Sequence, residues 1–136
     1  MQAVGYRYIL LIFIQFFHFF SSQAQSDDWK MLEEQWSNAQ TNSIKKLELS
    51  LALSQEISDE QIELATFYGQ EALKILETNK NVSNHLKSEV YFVLSEIYGR
   101  KRYEDKAKFY LEKAKNYTDT TASKYIFHLS FVQGLF

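Results

Sequence analysis

Chemistry in this 136-residue chain would have to start from its histidines and acids, because cysteine is absent. The lack of Cys excludes disulfides, thiolate catalysis, Cys-ligated zinc and lipid attachment through sulfur. His18 lies within an apolar run near the N-terminus, while His85 and His128 stand 43 residues apart. A zinc site on those two would need further Asp or Glu ligands brought in by folding. They are expected instead as a surface His85 and a partly buried His128. Glu33-Glu34 and Asp59-Glu60 are carboxylate neighbours. On a helix, adjacent residues point about 100° apart, so neither pair shares a proton; both suit helix starts or solvent. Gly5, Gly69, Gly99 and Gly134 are isolated, which leaves no phosphate-cradling loop. No serine sits in a nucleophile-elbow context. The expectation is a non-catalytic chain with no cofactor and no metal.

The charges exclude a second class. Fifteen basic side chains face 17 acidic ones, for a net charge of −2, which is not the footprint of a nucleic-acid binder. The one concentrated basic region is Arg100-Lys101-Arg102, followed by Lys106, Lys108, Lys113 and Lys115. It reads as a hairpin turn and a solvated helix face, with Glu104, Asp105 and Glu112 interleaved for local pairing. The competing reading is contact with an anionic partner or a lipid head group. Phe92, Tyr103, Phe109 and Tyr110 are expected to pack between helices rather than to stack on bases.

The elements that would position these residues begin after an N-terminal address. Arg7 precedes an apolar run of about thirteen residues ending at Phe20, too short for the roughly 20 that span a bilayer core. A basic start, a short apolar core and small residues at Ser22 and Ala24 match a secretory signal. Residues 1–24 are therefore expected to be a signal peptide cleaved before Gln25, placing the mature chain in the periplasm or outside the cell. The alternative is an uncleaved membrane anchor.

From Ser26 onward, apolar residues recur at three and four rather than two, and the chain has no proline. The fold class expected is all-α. Trp29, Leu32, Trp36 and Ala39 form an N-terminal helix within 25–42. Asn42 or Ser43 can cap a second segment facing inward through Ile44, Leu47, Leu51 and Leu53. Ser58-Asp-Glu-Gln61 has the pattern of a capping box before Ile62, Ala65, Tyr68, Ala72 and Leu76. Asn79–Ser83 breaks the periodicity. Val90, Leu94, Ile97 and Tyr98 mark a fourth helix, and Ala107, Tyr110, Leu111 and Ala114 a fifth. A sixth begins near Ser123.

The segment 43–136 repeats. Ala65 and Ala72 return as Ala107 and Ala114, each 42 residues later, and each pair is seven residues apart on one helical face. Ahead of the second pair stand Tyr91, Leu94, Ser95 and Tyr98. In these residues the chain resembles the tetratricopeptide repeat family, in which an aromatic, Leu-Gly and Tyr on a first helix precede Ala, a bulky residue and Ala on a second. Tyr91, Leu94 and Tyr98 match the first helix; Ala107, Leu111 and Ala114 match the second. Ser95 replaces the Gly, and Asp119 stands where the closing Pro would be. Residues 44–80 make a weaker unit, with Glu56 in the Tyr position. The resemblance implies a right-handed stack of antiparallel helix pairs whose first helices line a concave surface for a protein or peptide partner. The groove-facing offsets of the family fall on Glu89, Phe92, Glu96 and Arg100.

The combination of export signal and helical repeats looks like the extracytoplasmic sensor region of bacterial signalling proteins such as sensor histidine kinases. The expected function is a protein-binding module, with two alternatives: the input region of a membrane signal-transduction protein whose output domain lies outside this chain, and a membrane-tethered structural helix bundle. Nucleic acid is not an expected partner, and membrane contact is expected only through the N-terminal segment before processing. The last segment leaves the array incomplete, so Phe131, Leu135 and Phe136 are expected to be exposed and to promote self-association.

Overall fold

The computed structural model describes residues 29–57 and 59–118, and these are all-helical, with no strand among them. The expected signal segment 1–24, Ser58, His128 and the expected helix after Ser123, with its apolar patch, lie outside the described residues. Helix α1 occupies 29–38. Helices α2 (Ile44–Glu56), α3 (Ile62–Thr78), α4 (Asn84–Arg100) and α5 (Glu104–Lys115) follow, with a 3-10 turn at Asp59–Gln61 before α3.

The helix starts follow local chemistry. Ser43 caps α2, its hydroxyl accepting from the Lys46 amide at 3.1 Å, while Asn42 beside it takes a positive φ of 60°. Ser83 caps α4 in the same way through the Leu86 amide at 3.2 Å. Both hydroxyls satisfy an amide that the first turn leaves without a partner. The capping box anticipated at Ser58–Gln61 takes a different form: Gln61 is the cap residue of α3 and its side chain makes no cap hydrogen bond. Helix α5 has no side-chain cap either, but Glu104 and Asp105 in its first turn and Lys113 and Lys115 in its last oppose the helix dipole.

Each of α2, α3 and α4 packs against the next helix in the chain, and the contacts across these three pairs run antiparallel. In α4 and α5, Ser95 donates to the Ala107 carbonyl at 2.9 Å and Ser88 to the Ala114 carbonyl at 3.1 Å, so the register descends one helix as it climbs the other. Between α3 and α4, Arg100 meets Asp59, Lys101 meets Glu63 and Tyr98 meets Gln70. The Asn79 side-chain amide donates to the Asn42 carbonyl at 2.8 Å, tying the end of α3 to the start of α2.

The largest core cluster joins Leu47 and Leu51 of α2, Ala72, Ile75 and Leu76 of α3, and Val90, Leu94 and Ile97 of α4. A second cluster seats Trp29, Leu32 and Trp36 of α1 on Leu53, Ala65 and Tyr68. A third holds Phe92, Leu111 and Ala114. All four repeat alanines, Ala65, Ala72, Ala107 and Ala114, are at most 2% exposed. Gly69 belongs with them: a Cβ there would lie 3.0 Å from Ile97 Cδ1 and 3.2 Å from Leu94 Cδ2.

Three substitutions test this packing. Ala107→Leu should overpack the α4–α5 contact and lower stability by about 1–3 kcal/mol. Gly69→Ala should be near neutral, because two flexible methyl ends can yield while the helix gains about 1 kcal/mol of propensity. Gly69→Leu should cost about 1–3 kcal/mol. Urea midpoints of the purified chain measure all three, and unchanged midpoints for both Leu variants would place these positions in solvent.

Candidate functional site

The four residues expected to face a groove do not form one open row. Glu89 is partly exposed and lies 3.5 Å from His85 one turn earlier, Nε2 to Oε1. Glu96 is half-buried. The Arg100 guanidinium donates to Asp59 Oδ1 at 2.6 Å across the α3–α4 junction. Phe92 is only 7% exposed and packs with Leu111 and Ala114. As placed, Phe92 is core, Arg100 is tethered to Asp59, and Glu89 and Glu96 are partly exposed on α4.

The basic region also departs from expectation. Arg100 and Lys101 find their carboxylates across space on the turn before α3 and on its first residues, not among the neighbours in sequence. Lys101 Nζ lies 2.9 Å from Glu63, and that hydrogen bond raises its pKa above the ordinary lysine value, against a smaller opposing effect of burial. The expected local pairing is present at Lys115–Glu112, 2.8 Å. The turn between α4 and α5 places Arg102 at a φ of 63°, in the left-handed region that few non-glycine residues adopt. Arg102 lies on the rim of two depressions. One, of about 300 Å³, is lined by Asp59, Ile62, Gly99 and Arg100. The other, of about 700 Å³, is lined by Tyr103, Glu104, Asp105 and Lys106.

The feature that sequence reading left unassembled is a ladder of tyrosines along the seam of α3, α4 and α5. Tyr91 and Tyr98 come from α4, seven residues apart; Tyr103, Tyr110 and Tyr117 come from α5 and its flanks, again at intervals of seven. Tyr98 stacks on Tyr110 at 5.6 Å between centroids, and Tyr91 stacks on Tyr110 at 6.3 Å and on Tyr117 at 5.9 Å. Tyr103 closes the series against Tyr98 at 6.2 Å. Gln70 of α3 donates to the Tyr98 hydroxyl at 2.9 Å.

Cations lie over these rings. Lys106 Nζ is 5.0 Å from the Tyr98 centroid, Lys113 is 5.4 Å from Tyr91, and Lys87 is 5.4 Å from Tyr117. Burial raises the pKa of Tyr91, reinforced by the charges of Tyr117 and Glu77. Burial also raises that of Tyr110, against an opposing hydrogen bond from Gln70. The same effect acts on Tyr68, whose hydroxyl donates to Glu33 Oε1 at 2.7 Å under Trp36, 5.3 Å away edge to face.

Among the described residues no group of three or more His, Asp or Glu could hold a metal ion. No protein-family model matches the chain, and no curated protein or solved structure matches it either.

The tyrosine and lysine shifts set the alkaline limit. Each of these groups has a folded pKa above its ordinary value, so the folded state holds its protons more tightly. Their contribution is complete below the ordinary tyrosine value of 10.0 and is lost as pH rises through the folded values. The urea midpoint should therefore hold up to about pH 10 and fall progressively above it. Tyr68→Phe should cost about 1–2 kcal/mol at neutral pH, for the lost bond to a carboxylate, and should flatten the alkaline decline. A midpoint independent of pH across that alkaline range would contradict the burial of these phenols.

Proposed function

We propose that this chain is a non-catalytic protein- or peptide-binding module of the tetratricopeptide type, acting outside the cytoplasm. The observation that carries the reading is the agreement of repeat and burial: four alanines separated by 7 and 42 residues are all at helix contacts with at most 2% exposure. Chance alanines in a helical bundle would be scattered between core and surface. Support also comes from the pairing of α4 with α5 through Ser88 and Ser95, which occupy the face where a repeat of this kind needs small side chains. Binding in such a module is geometric. Helix pairs hold a surface rigid, and the side chains left exposed on it select the ligand.

Export rests on the short apolar core of 1–24 and the small residues Ser22 and Ala24. Among the described residues no helix is long and apolar enough to cross a membrane. The second reading, an input region of a membrane signalling protein, uses the same surface with its output elsewhere. The third, a tethered structural bundle, has no ligand.

The experiment is a screen of the mature chain against a random peptide display library, followed by titration of the selected sequences. Saturable binding with a dissociation constant near or below about 100 μM, reproduced with free peptide, supports the module. Selection of no sequence favours the structural bundle. For export, N-terminal sequencing of protein recovered from an exporting host should begin at Gln25. A product that begins at Met1 and sediments with membranes would favour the tether.

A further inference from the structure

The tyrosine ladder lies on the side of α4 opposite Glu89, Glu96 and Arg100. At 100° per residue, Tyr91 and Tyr98 are about 20° apart, whereas Glu96 and Arg100 lie about 140° and 180° around the helix from Tyr91. Glu89 and Glu96 lie on one side. On the other, Lys87, Lys106 and Lys113 hold ammonium groups over tyrosine rings, outnumbering the Glu77 carboxylate near Tyr91 and Tyr110, and among the described residues none of the three lysines forms an ion pair. From the geometry we infer that the ladder face is the docking surface for an extended acidic peptide, in which carboxylates about three residues apart alternate with apolar or aromatic residues. This rests on the reading of the chain as a peptide-binding module and names its partner and its face.

Three observations select that occupant. The first is charge. Unpaired ammonium groups over rings are held there by the ring quadrupole at modest energy, and a carboxylate can take them as partners without breaking an existing ion pair. The second is spacing. Lys106 and Lys113 are seven residues apart on α5, about 10.5 Å along the axis, and an extended chain covers that distance in about three residues. A polyphosphate or a nucleic-acid strand carries its charges far more densely and would meet tyrosine edges between the lysines. The third is what stands between and beside the cations. Tyr103 is 53% exposed, Phe109 55% and Tyr117 37%, which is apolar surface suited to side chains alternating with the acids. The row from Tyr103 to Tyr117 is about 20 Å long, enough for about six extended residues.

The probe is a synthetic peptide of about ten residues with Asp at every third position and Phe or Leu between. Its partner control has Lys in place of each Asp. Calorimetric titration of the mature chain should show binding of the acidic peptide, weakening as salt rises, and none of the basic one. Lys106→Gln with Lys113→Gln should weaken the acidic peptide about tenfold, while Lys106→Arg with Lys113→Arg retains it. The Arg pair separates loss of charge from loss of fold. Glu89→Gln with Glu96→Gln tests the other side of α4, and Lys30→Gln with Lys45→Gln, on α1 and α2, should leave affinity unchanged.

Three outcomes overturn the assignment. Polyphosphate binding as tightly as the peptide would make the face an unselective anion surface. Loss of binding in the Glu89/Glu96 pair but not in the Lys106/Lys113 pair would place the peptide on the other side of α4; the module reading would then stand and this face would fall. No binding of the acidic peptide, while library-selected peptides bind, would again remove this face alone. A chain that binds neither would remove both.

Discussion

Helices can approach only as closely as the side chains between them permit, and this chain sets that limit with small residues. Ala65, Gly69 and Ala72 line α3; Ser88 and Ser95 line α4; Ala107 and Ala114 line α5. Dispersion falls steeply with any gap, so a close axis lets the flanking Leu, Ile and Val side chains mesh. The serines do more than leave room. A buried hydroxyl is costly without a partner, and those of Ser88 and Ser95 each donate to a carbonyl of the facing helix. Those two bonds, seven residues apart on both helices, hold the antiparallel register where alanine alone would allow sliding. No buried side-chain polar atom among the described residues lacks a hydrogen-bond partner.

The same constraint arranges the surface. Where small residues occupy the line of closest approach, bulky side chains have to lie beside it. Tyr91 and Tyr98 flank the serine line of α4, and Tyr110 flanks the alanine line of α5, so the rings meet along the seam and stack. The Tyr98 hydroxyl reaches the polar edge of α3, where it accepts from Gln70. At the other end of the molecule Trp36 plays a comparable part. Its indole N–H donates to Ser50 at 2.8 Å, its ring meets Tyr68 edge to face, and Lys46 lies over it at 4.2 Å. Both ends thus use aromatic rings with a polar tip to close a junction that aliphatic residues alone would leave open.

The ion pairs at the α3–α4 junction explain why the basic segment is less of a free surface than its composition suggests. Arg100 and Lys101 end α4 opposite the acidic start of α3, and Asp59 and Glu63 take up their charges. Lys87, Lys106 and Lys113, which form no ion pair among the described residues, stand over tyrosine rings instead. Charge selection on this molecule is therefore set by helix register and not by the density of lysine along the chain.

The sequence by itself determined the helical class, the approximate helix limits and the identity of the close contacts, because periodicity and small residues report burial directly. Val90, Leu94, Ile97, Ala65, Ala72, Ala107 and Ala114 were all legible in this way, as was the loop at Asn79–Ser83. Ser50, Ser54 and Ser88 were not, because a polar residue on an inner face is recognisable only once its acceptor is in place. Phe92 was expected both at a groove offset and in packing between helices, and it packs, since an offset carried over from a family fixes the side of a helix but not what covers it. The tyrosine ladder depended on tertiary structure altogether. Tyr91 and Tyr98 are two turns apart on one helix and Tyr103, Tyr110 and Tyr117 are spaced by seven along the next stretch, but only the antiparallel register of α4 on α5 brings the two series ring to ring. That register is set by the serine and alanine contacts across space, which no local pattern contains.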